Sequence, residues 1–134
     1  MKTAVIYWSG TGNTEEMAKA VADGAGAELF SVGEFKGDIE DYDAIAFGCS
    51  AMGDEVLEES EFEPFFSENE GKIKGRKIAL FGSYGWGDGQ WMRDWVERAK
   101  GLGAELIDEG LIANEAPSAD DLEKCRALGS KLAE

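Results

Sequence analysis

The feature that most constrains the fold is a regular alternation of short apolar runs with amphipathic helical segments. Apolar runs and period-two patterns predict five strands, at 3–8, 28–32, 44–47, 77–82 and 105–114. Helical periodicity predicts four helices, at 13–24, 62–70, 90–102 and from a cap at Ser118 onward. Strands that alternate with helices form a parallel, doubly wound sheet. We therefore predict an α/β fold, a five-stranded parallel sheet with helices on both faces, with a candidate break in the last strand at 109–110.

Length and composition fit one domain over residues 1–134. A chain of 134 residues with 43% hydrophobic content can build one core but not two. The apolar runs are too short to span a bilayer, and Met1-Lys2-Thr3 enters a strand at once, which predicts a cytoplasmic protein without a signal peptide. Cys49 and Cys125 are far apart in sequence, and we expect both to be free, buried thiols.

The ionisable residues exclude several classes of function. The chain has no His, so Ser-His-Asp hydrolysis, Cys-His chemistry and His-ligated metal sites are excluded, and we predict no metal site. A net charge of -15 argues against binding to nucleic acid or to an anionic membrane. The segment 54–70 holds eight carboxylates and no basic residue. It is either a solvated acidic face or a docking surface for a basic partner, and the neighbouring loops decide between them.

The first loop, Ser9-Gly10-Thr11-Gly12-Asn13-Thr14, joins the first predicted strand to the first predicted helix. Backbone N–H groups and the positive end of a helix dipole meet there, as in phosphate-binding loops. A Walker A loop would need a Lys where Asn13 stands, and a Rossmann fingerprint would need a small residue in place of Glu15. The loop therefore predicts a site for a single phosphate held by neutral donors, the alternative being an ordinary turn rich in Ser, Thr and Gly.

Two further loops follow the third and fourth strands, at 48–57 and 83–89. In a doubly wound sheet the carboxyl ends of such strands meet at the ligand site. Trp86 lies between glycines at a loop tip, where its own neighbours cannot pack it, and Met52 lies in the other loop. A polarizable Met and a Trp on opposite walls suit a planar heteroaromatic ring. Trp91 and Trp95 have helical spacing, and we assign them to the core.

These segments resemble the short-chain flavodoxins, most closely at 7–14, 48–65 and 81–91, whereas 25–43 and 105–114 match in architecture only. The resemblance implies the strand order 2-1-3-4-5 and bound FMN, which supplies both the single phosphate and the flat ring. It further implies a monomeric electron-transfer protein rather than an enzyme. Such a protein is a low-potential one-electron carrier that shuttles between semiquinone and hydroquinone states, serving redox enzymes with basic docking surfaces.

The resemblance also assigns roles to residues. The phosphate would contact the hydroxyl and amide side chains of the first loop, with Ser50 adding a hydroxyl from the next. Met52 would lie on the inner face of the flavin ring and Trp86 on its outer face. Glu55 would accept a hydrogen bond from ring N3-H, and Gly53 would let the following peptide turn over on reduction. The implied FMN contacts are Ser9, Gly10, Thr11, Gly12, Asn13, Thr14, Ser50, Ala51, Met52, Gly53, Asp54, Glu55, Ser83, Tyr84, Gly85, Trp86, Gly87 and Asp88.

Three other functions use a related architecture. An FMN-dependent NAD(P)H:quinone reductase needs space for a second substrate over the ring, and the Trp86 cover argues against it. A receiver domain needs acidic residues where Ser9 and Ser50 stand. A flavodoxin-like accessory protein that activates a metalloenzyme would use the same FMN chemistry, so it stays as an alternative.

Overall fold

The computed structural model describes residues 2–53 and 55–134. Within these ranges the strands are β1 (Thr3–Trp8), β2 (Glu28–Ser31), β3 (Ala44–Cys49), β4 (Lys77–Tyr84), β5 (Glu105–Leu106) and β6 (Leu111–Asn114). The α-helices are α1 (Asn13–Ala25), α2 (Phe62–Asn69), α3 (Gln90–Gly101) and α4 (Ala119–Leu132). The predicted elements agree with these to within a few residues. In the described part of the chain, no helix is both long enough and apolar enough to cross a membrane.

The strands form one parallel sheet in the order β2-β1-β3-β4, with β5 and β6 both paired to β4 at the far edge. The predicted order 2-1-3-4-5 is therefore confirmed, the fifth position being shared by two short strands. The chain leaves the sheet between them, where Asp108 and Gly110 both have positive φ. The break that the sequence indicated at 109–110 is present and is slightly longer than expected.

Each face of the sheet carries its own core. On one face α1 and α4 pack over Val5 and Phe81, with Met17, Val21 and Leu128 buried between. The other face is rich in aromatic residues, and its fully buried side chains include Phe47, Phe62, Phe66, Trp91 and Trp95. The predicted core positions of Trp91 and Trp95 are confirmed. Cys49 and Cys125 are both free and buried, as expected, and burial raises the pKa of each to about 12.

Helices α1 and α4 approach closely enough for backbone to meet backbone. A Cβ added at Gly129 of α4 would overlap the carbonyl oxygen of Val21 in α1, and one at Gly24 would overlap that of Arg126. The hydroxyl of Ser130 also donates to the carbonyl of Gly24 at 3.2 Å. The two glycines therefore set the separation of the helix pair that covers this face.

Helix α2 is capped by a buried carboxylate three residues before its N-cap position. The Glu58 side chain, 6% exposed, accepts hydrogen bonds from the N–H groups of Ser60 (2.8 Å), Glu61 (2.7 Å) and Phe62 (2.9 Å). Burial alone would raise the pKa of Glu58, but the backbone donors outweigh it and the net effect is a lowered pKa. The backbone N–H of Glu58 donates to the Cys49 sulfur at 3.4 Å, so this residue also ties α2 to β3.

We expect Gly129→Ala to lower the free energy of unfolding by about 2 kcal/mol, since two backbones must separate to admit one methyl group. Gly101→Ala is the matched control: it adds a methyl group at the end of α3, where no heavy atom lies within 4 Å. The control should raise stability by about 0.5 kcal/mol or more. Urea unfolding of both variants measures the difference, and equal effects would show that the α1–α4 contact tolerates a larger residue.

We expect Glu58→Gln to lower the free energy of unfolding by about 2 kcal/mol at neutral pH, because a neutral amide is a weaker acceptor for three backbone donors. The lowered pKa of Glu58 makes its contribution full above the unfolded value of about 4.3, and the contribution is lost as the pH falls through the folded value. The gap between wild type and variant should therefore narrow below about pH 4. Glu59→Gln, at an exposed position, should show no such gap. A gap that does not vary with pH would contradict the capping role.

Candidate cofactor site

Three loops converge at the carboxyl ends of β1, β3 and β4 and enclose a cavity of about 360 Å³. This is the point where the strand order reverses, and ligands of doubly wound sheets bind there. The predicted site residues that line it are Gly10, Thr11, Asn13, Ser50, Ala51, Met52, Ser83, Tyr84 and Gly85. Its volume lies in the range of ordinary small-molecule pockets. The three loops that the sequence singled out therefore share one cavity.

The β1–α1 loop is shaped by its own hydroxyl and glycine residues. The Ser9 hydroxyl accepts a hydrogen bond from Gly12 N–H at 3.1 Å, across the turn. Gly12, with φ 96°, is the N-cap residue of α1, and no side chain caps that helix. The amides of the first helical turn thus remain oriented along the helix axis toward the loop. Glu15, the nearest carboxylate in sequence, accepts from the Tyr7 hydroxyl at 3.1 Å.

Thr14 joins all three loops from beneath the cavity. Its side chain is fully buried; Oγ1 accepts from Ser83 N–H at 3.2 Å and shares a hydrogen bond of 2.7 Å with Ser50 Oγ. Ser50 itself lines the cavity. Among the residues predicted to hold a phosphate, Ser9, Gly12 and Thr14 thus support the wall, whereas Thr11, Asn13 and Ser50 form its surface.

The loop after β3 turns tightly at Met52. Met52 N–H donates to Val56 carbonyl oxygen at 2.9 Å, and Val56 N–H donates back at 3.2 Å. Gly53 has φ 21° and Glu55 has φ 56°, so both lie in the left-handed region that a non-glycine residue rarely adopts. The contact predicted for Asp54 lies outside the described residues.

The loop after β4 carries the most exposed aromatic residue of the described chain. Trp86 is 65% exposed, and both Gly87 and Gly89 have positive φ. Glu55 Oε1 accepts hydrogen bonds from Gly89 N–H (3.1 Å) and Gln90 N–H (3.2 Å) and so links this loop to the previous one. Asp88 pairs with Arg93 at 2.8 Å, and its side chain is 79% exposed. Its contact with a cofactor stays a prediction.

Large hydrophobic side chains are exposed at three positions in the described ranges: Met52, Val56 and Trp86. All three belong to the two loops beside the cavity. Exposed apolar groups of this size at the rim of a pocket are typical of a binding surface. The cavity thus has hydroxyl and backbone donors together with Met52 on its wall, and the exposed Trp86 stands next to the lining residue Gly85 at its rim. This combination suits a flat ring that carries one phosphate.

Two further residues line the cavity that the sequence reasoning left out. Trp8 is the last residue of β1, and a Cβ added at Gly10 would lie 3.0 Å from its ring, so Gly10 leaves room for the indole. Glu115 has φ 55°, and its carbonyl oxygen accepts from the Ser83 hydroxyl at 2.7 Å. The sequence could have indicated Trp8, because the last residue of a parallel strand lies at the ligand edge of the sheet. It gave no indication of Glu115, because only the pairing of β6 with β4 brings that residue to the cavity.

The acidic segment 54–70 is partly structural. Arg98 of α3 binds both carboxylate oxygens of Glu63, at 2.8 and 2.7 Å, and its Nε donates to Glu70 at 2.9 Å. Arg98 is the main reason that the pKa of Glu63 is lowered. Glu59, Glu61 and Glu68 are exposed, so the segment also presents free negative charge to solvent.

Comparisons with known proteins agree with this geometry. The flavodoxin family model matches residues 5–129. A flavodoxin from Clostridium beijerinckii is 49% identical over 136 residues, covering 96% of this chain and 97% of the relative. A flavodoxin from Megasphaera elsdenii is 45% identical, covering 96% of each. The solution structure of two-electron reduced Megasphaera elsdenii flavodoxin superposes with a TM-score of 0.84 at 39% identity, over 98% of both chains. The chain therefore belongs to the flavodoxin family, whose members are electron-transfer proteins that bind FMN.

Proposed function

We propose that residues 1–134 form one FMN-binding domain that acts as a low-potential one-electron carrier, shuttling between the semiquinone and hydroquinone states of its cofactor. The observation that carries the proposal is a cavity that pairs a phosphate loop without cations with an exposed Met52 on its wall, while the exposed Trp86 directly follows the lining residue Gly85. Its partners are redox enzymes with basic docking surfaces. We propose further that the carrier is a cytoplasmic monomer.

The β1–α1 loop would hold the phosphate. Thr11 and Asn13 line the cavity, and the N-terminal amides of α1 lie behind them with no side chain as partner. Ser50 would add its hydroxyl from the next loop, held in place by Thr14. Backbone donors and a helix dipole bind an anion without adding a fixed positive charge. The overall negative charge of the site is thereby kept.

Met52 and Trp86 would enclose the flavin ring, which supplies the one-electron chemistry when bound. The Trp86 indole can cover a planar group because most of its side-chain surface is exposed. Such cover also keeps water from the ring, which strengthens every electrostatic interaction inside the site. The backbone groups of Gly53, Gly85 and Gly87 and the Glu55 carboxylate would meet the polar edge of the ring.

Gly53 would respond to reduction through its backbone. Its φ of 21° lies at the edge of the left-handed region, which glycine enters and leaves at little cost. Apart from its two chain neighbours, no heavy atom of the described residues lies within 4 Å of a Cβ built at this position, so the loop is open on that side. A carbonyl turned inward there would accept a hydrogen bond from a protonated ring nitrogen and so favour the one-electron form.

The surrounding carboxylates would make the second electron difficult to add. A fixed negative charge about 10 Å from a newly added one costs roughly 1.7 kcal/mol at an effective dielectric of about 20. That energy corresponds to roughly 70 mV for one electron. With several carboxylates near the cavity and a net charge of -15, the second potential should be strongly negative. The same charge would attract a basic partner.

An anaerobic dithionite titration of the purified protein, followed into the far red, tests the function. A yellow protein that passes through a blue one-electron form in nearly stoichiometric yield would support the carrier. Direct two-electron bleaching would contradict it and favour a reductase. Failure to take up FMN would reject the cofactor site itself.

We expect Trp86→Ala to weaken FMN binding at least about tenfold, because the ring loses its outer cover. Val56→Ala is the matched control: Val56 is also exposed, at 41%, and belongs to the same pair of loops, but no contact with the ring is proposed for it. Titrating apoprotein with FMN and following flavin fluorescence gives both dissociation constants. Equal losses in the two variants would show that Trp86 has no specific contact with the ring.

We expect Gly53→Thr to lower the yield of the one-electron form in the dithionite titration, with FMN affinity changed less than about threefold. The reason is conformational: a Cβ has space, but a β-branched residue resists positive φ. Gly53→Asn should give an intermediate yield, since Asn tolerates that region better. An unchanged yield in the Thr variant would remove the proposed role of this peptide.

A further inference from the structure

We propose that Glu55 is a positioning residue that caps helix α3 from the neighbouring loop and thereby fixes Trp86 relative to Met52. The inference rests on the proposed function, because it assumes that FMN lies between these two loops. The role is additional to the contact with the ring edge proposed above, since it is built from protein groups alone.

The first observation is a helix that lacks a cap of its own. The N-cap residue of α3 is Gly89, which has no side chain to offer, and the first turn holds no acidic residue. Glu55 Oε1 supplies what is missing by accepting from Gly89 N–H at 3.1 Å and Gln90 N–H at 3.2 Å. A carboxylate at a helix N-terminus is favoured both by these donors and by the helix dipole. Both bonds are made by the same carboxylate oxygen.

The second observation is the backbone conformation of Glu55. Its φ of 56° is unfavourable for a residue with a side chain and persists only where the surroundings enforce it. The two hydrogen bonds between Met52 and Val56 close the turn in which Glu55 lies. The strained backbone therefore directs the carboxylate to α3 while holding Met52 at the opposite end of the same turn.

The third observation is that the Trp86 loop is shaped around this carboxylate. A Cβ added at Gly87 would overlap the carboxylate of Glu55, and Gly87 has φ 88°. The loop can therefore close over Glu55 only because residue 87 has no side chain. Gly87 lies against the Glu55 carboxylate, Gly89 donates a hydrogen bond to it, and Trp86 directly precedes Gly87.

These contacts make the Glu55 side chain the link between the loop that carries Met52 and the loop that carries Trp86. The Trp86 loop is held at its start by β4 and at its end by the Glu55 carboxylate. Without the carboxylate, the end of the loop and the first turn of α3 lose two bonded amides. Trp86 is 65% exposed and has little other packing to hold it, so its position should become variable.

The test compares Glu55→Ala and Glu55→Gln in the full chain, with and without FMN. Gln keeps an oxygen acceptor of the same reach, so it should preserve the cap, whereas Ala removes it. Glu59→Ala is the control, because it removes an exposed carboxylate from the same acidic segment. Amide hydrogen exchange at Gly89 and Gln90, measured by NMR on flavin-free protein, reports the cap without any contribution from the cofactor. FMN titration reports its consequence.

In Glu55→Ala we expect exchange at both amides to rise at least about fivefold and the dissociation constant for FMN to rise about tenfold. Glu59→Ala should stay within about threefold of wild type in both measurements. Glu55→Gln should stay within about threefold of wild type in amide exchange, and its dissociation constant for FMN should remain below that of Glu55→Ala, because both variants lose the carboxylate at the ring edge and only Ala also loses the cap. Unchanged exchange in the Ala variant would overturn the cap. Raised exchange with unchanged FMN affinity would overturn the positioning role. Failure of the proposed function looks different, since FMN affinity would then be insensitive to Trp86→Ala as well.

Discussion

The parallel pairing of β1, β3 and β4 is the constraint on which the rest of the molecule depends. Because the three strands run in the same direction and in register, the loops that follow them meet at one edge of the sheet. The buried hydroxyl of Thr14 then fixes how closely they meet, through Ser83 N–H and Ser50 Oγ. A cavity of this shape cannot be built on one loop, and each loop alone would be a mobile surface turn.

The electrostatics of the site follow from what the loops leave out. The cavity lining of the described chain includes no Lys or Arg, and the whole protein carries a net charge of -15. A phosphate in such surroundings must be bound by dipoles and hydroxyl groups at short range. That choice leaves the long-range negative potential intact. The site can therefore bind an anionic cofactor while the electrostatic potential around it stays strongly negative.

The fold and the loops of the site could be predicted from sequence because their signals are local. Helical period, strand length, glycine at a turn and Ser118 before a helix are all read within a few residues, and the capping box at Ser118 with Asp121 is present in the structure. Contacts between distant positions could not be predicted. The Glu55 carboxylate meets α3 across more than thirty residues, and the position of Glu115 depends on the pairing of β6 with β4. The pairing of Asp88 with Arg93 depends on side-chain reach, which the sequence does not show, and the cofactor contact that the resemblance implies for Asp88 stays a prediction.

The acidic segment shows why charge alone is a poor guide to a docking surface. Among its described carboxylates, Glu58 caps α2 and Glu63 and Glu70 bind Arg98, so these groups hold α2 in place. Glu55 belongs to the same structural set through its bonds to α3. Among the described residues of the segment, the exposed carboxylates are Glu59, Glu61 and Glu68. Removing a carboxylate that makes these bonds removes structural hydrogen bonds as well as negative charge. Removing an exposed carboxylate removes negative charge alone. The attraction of a basic partner must therefore be judged from the exposed carboxylates, and the shape of the cavity from the bonded ones.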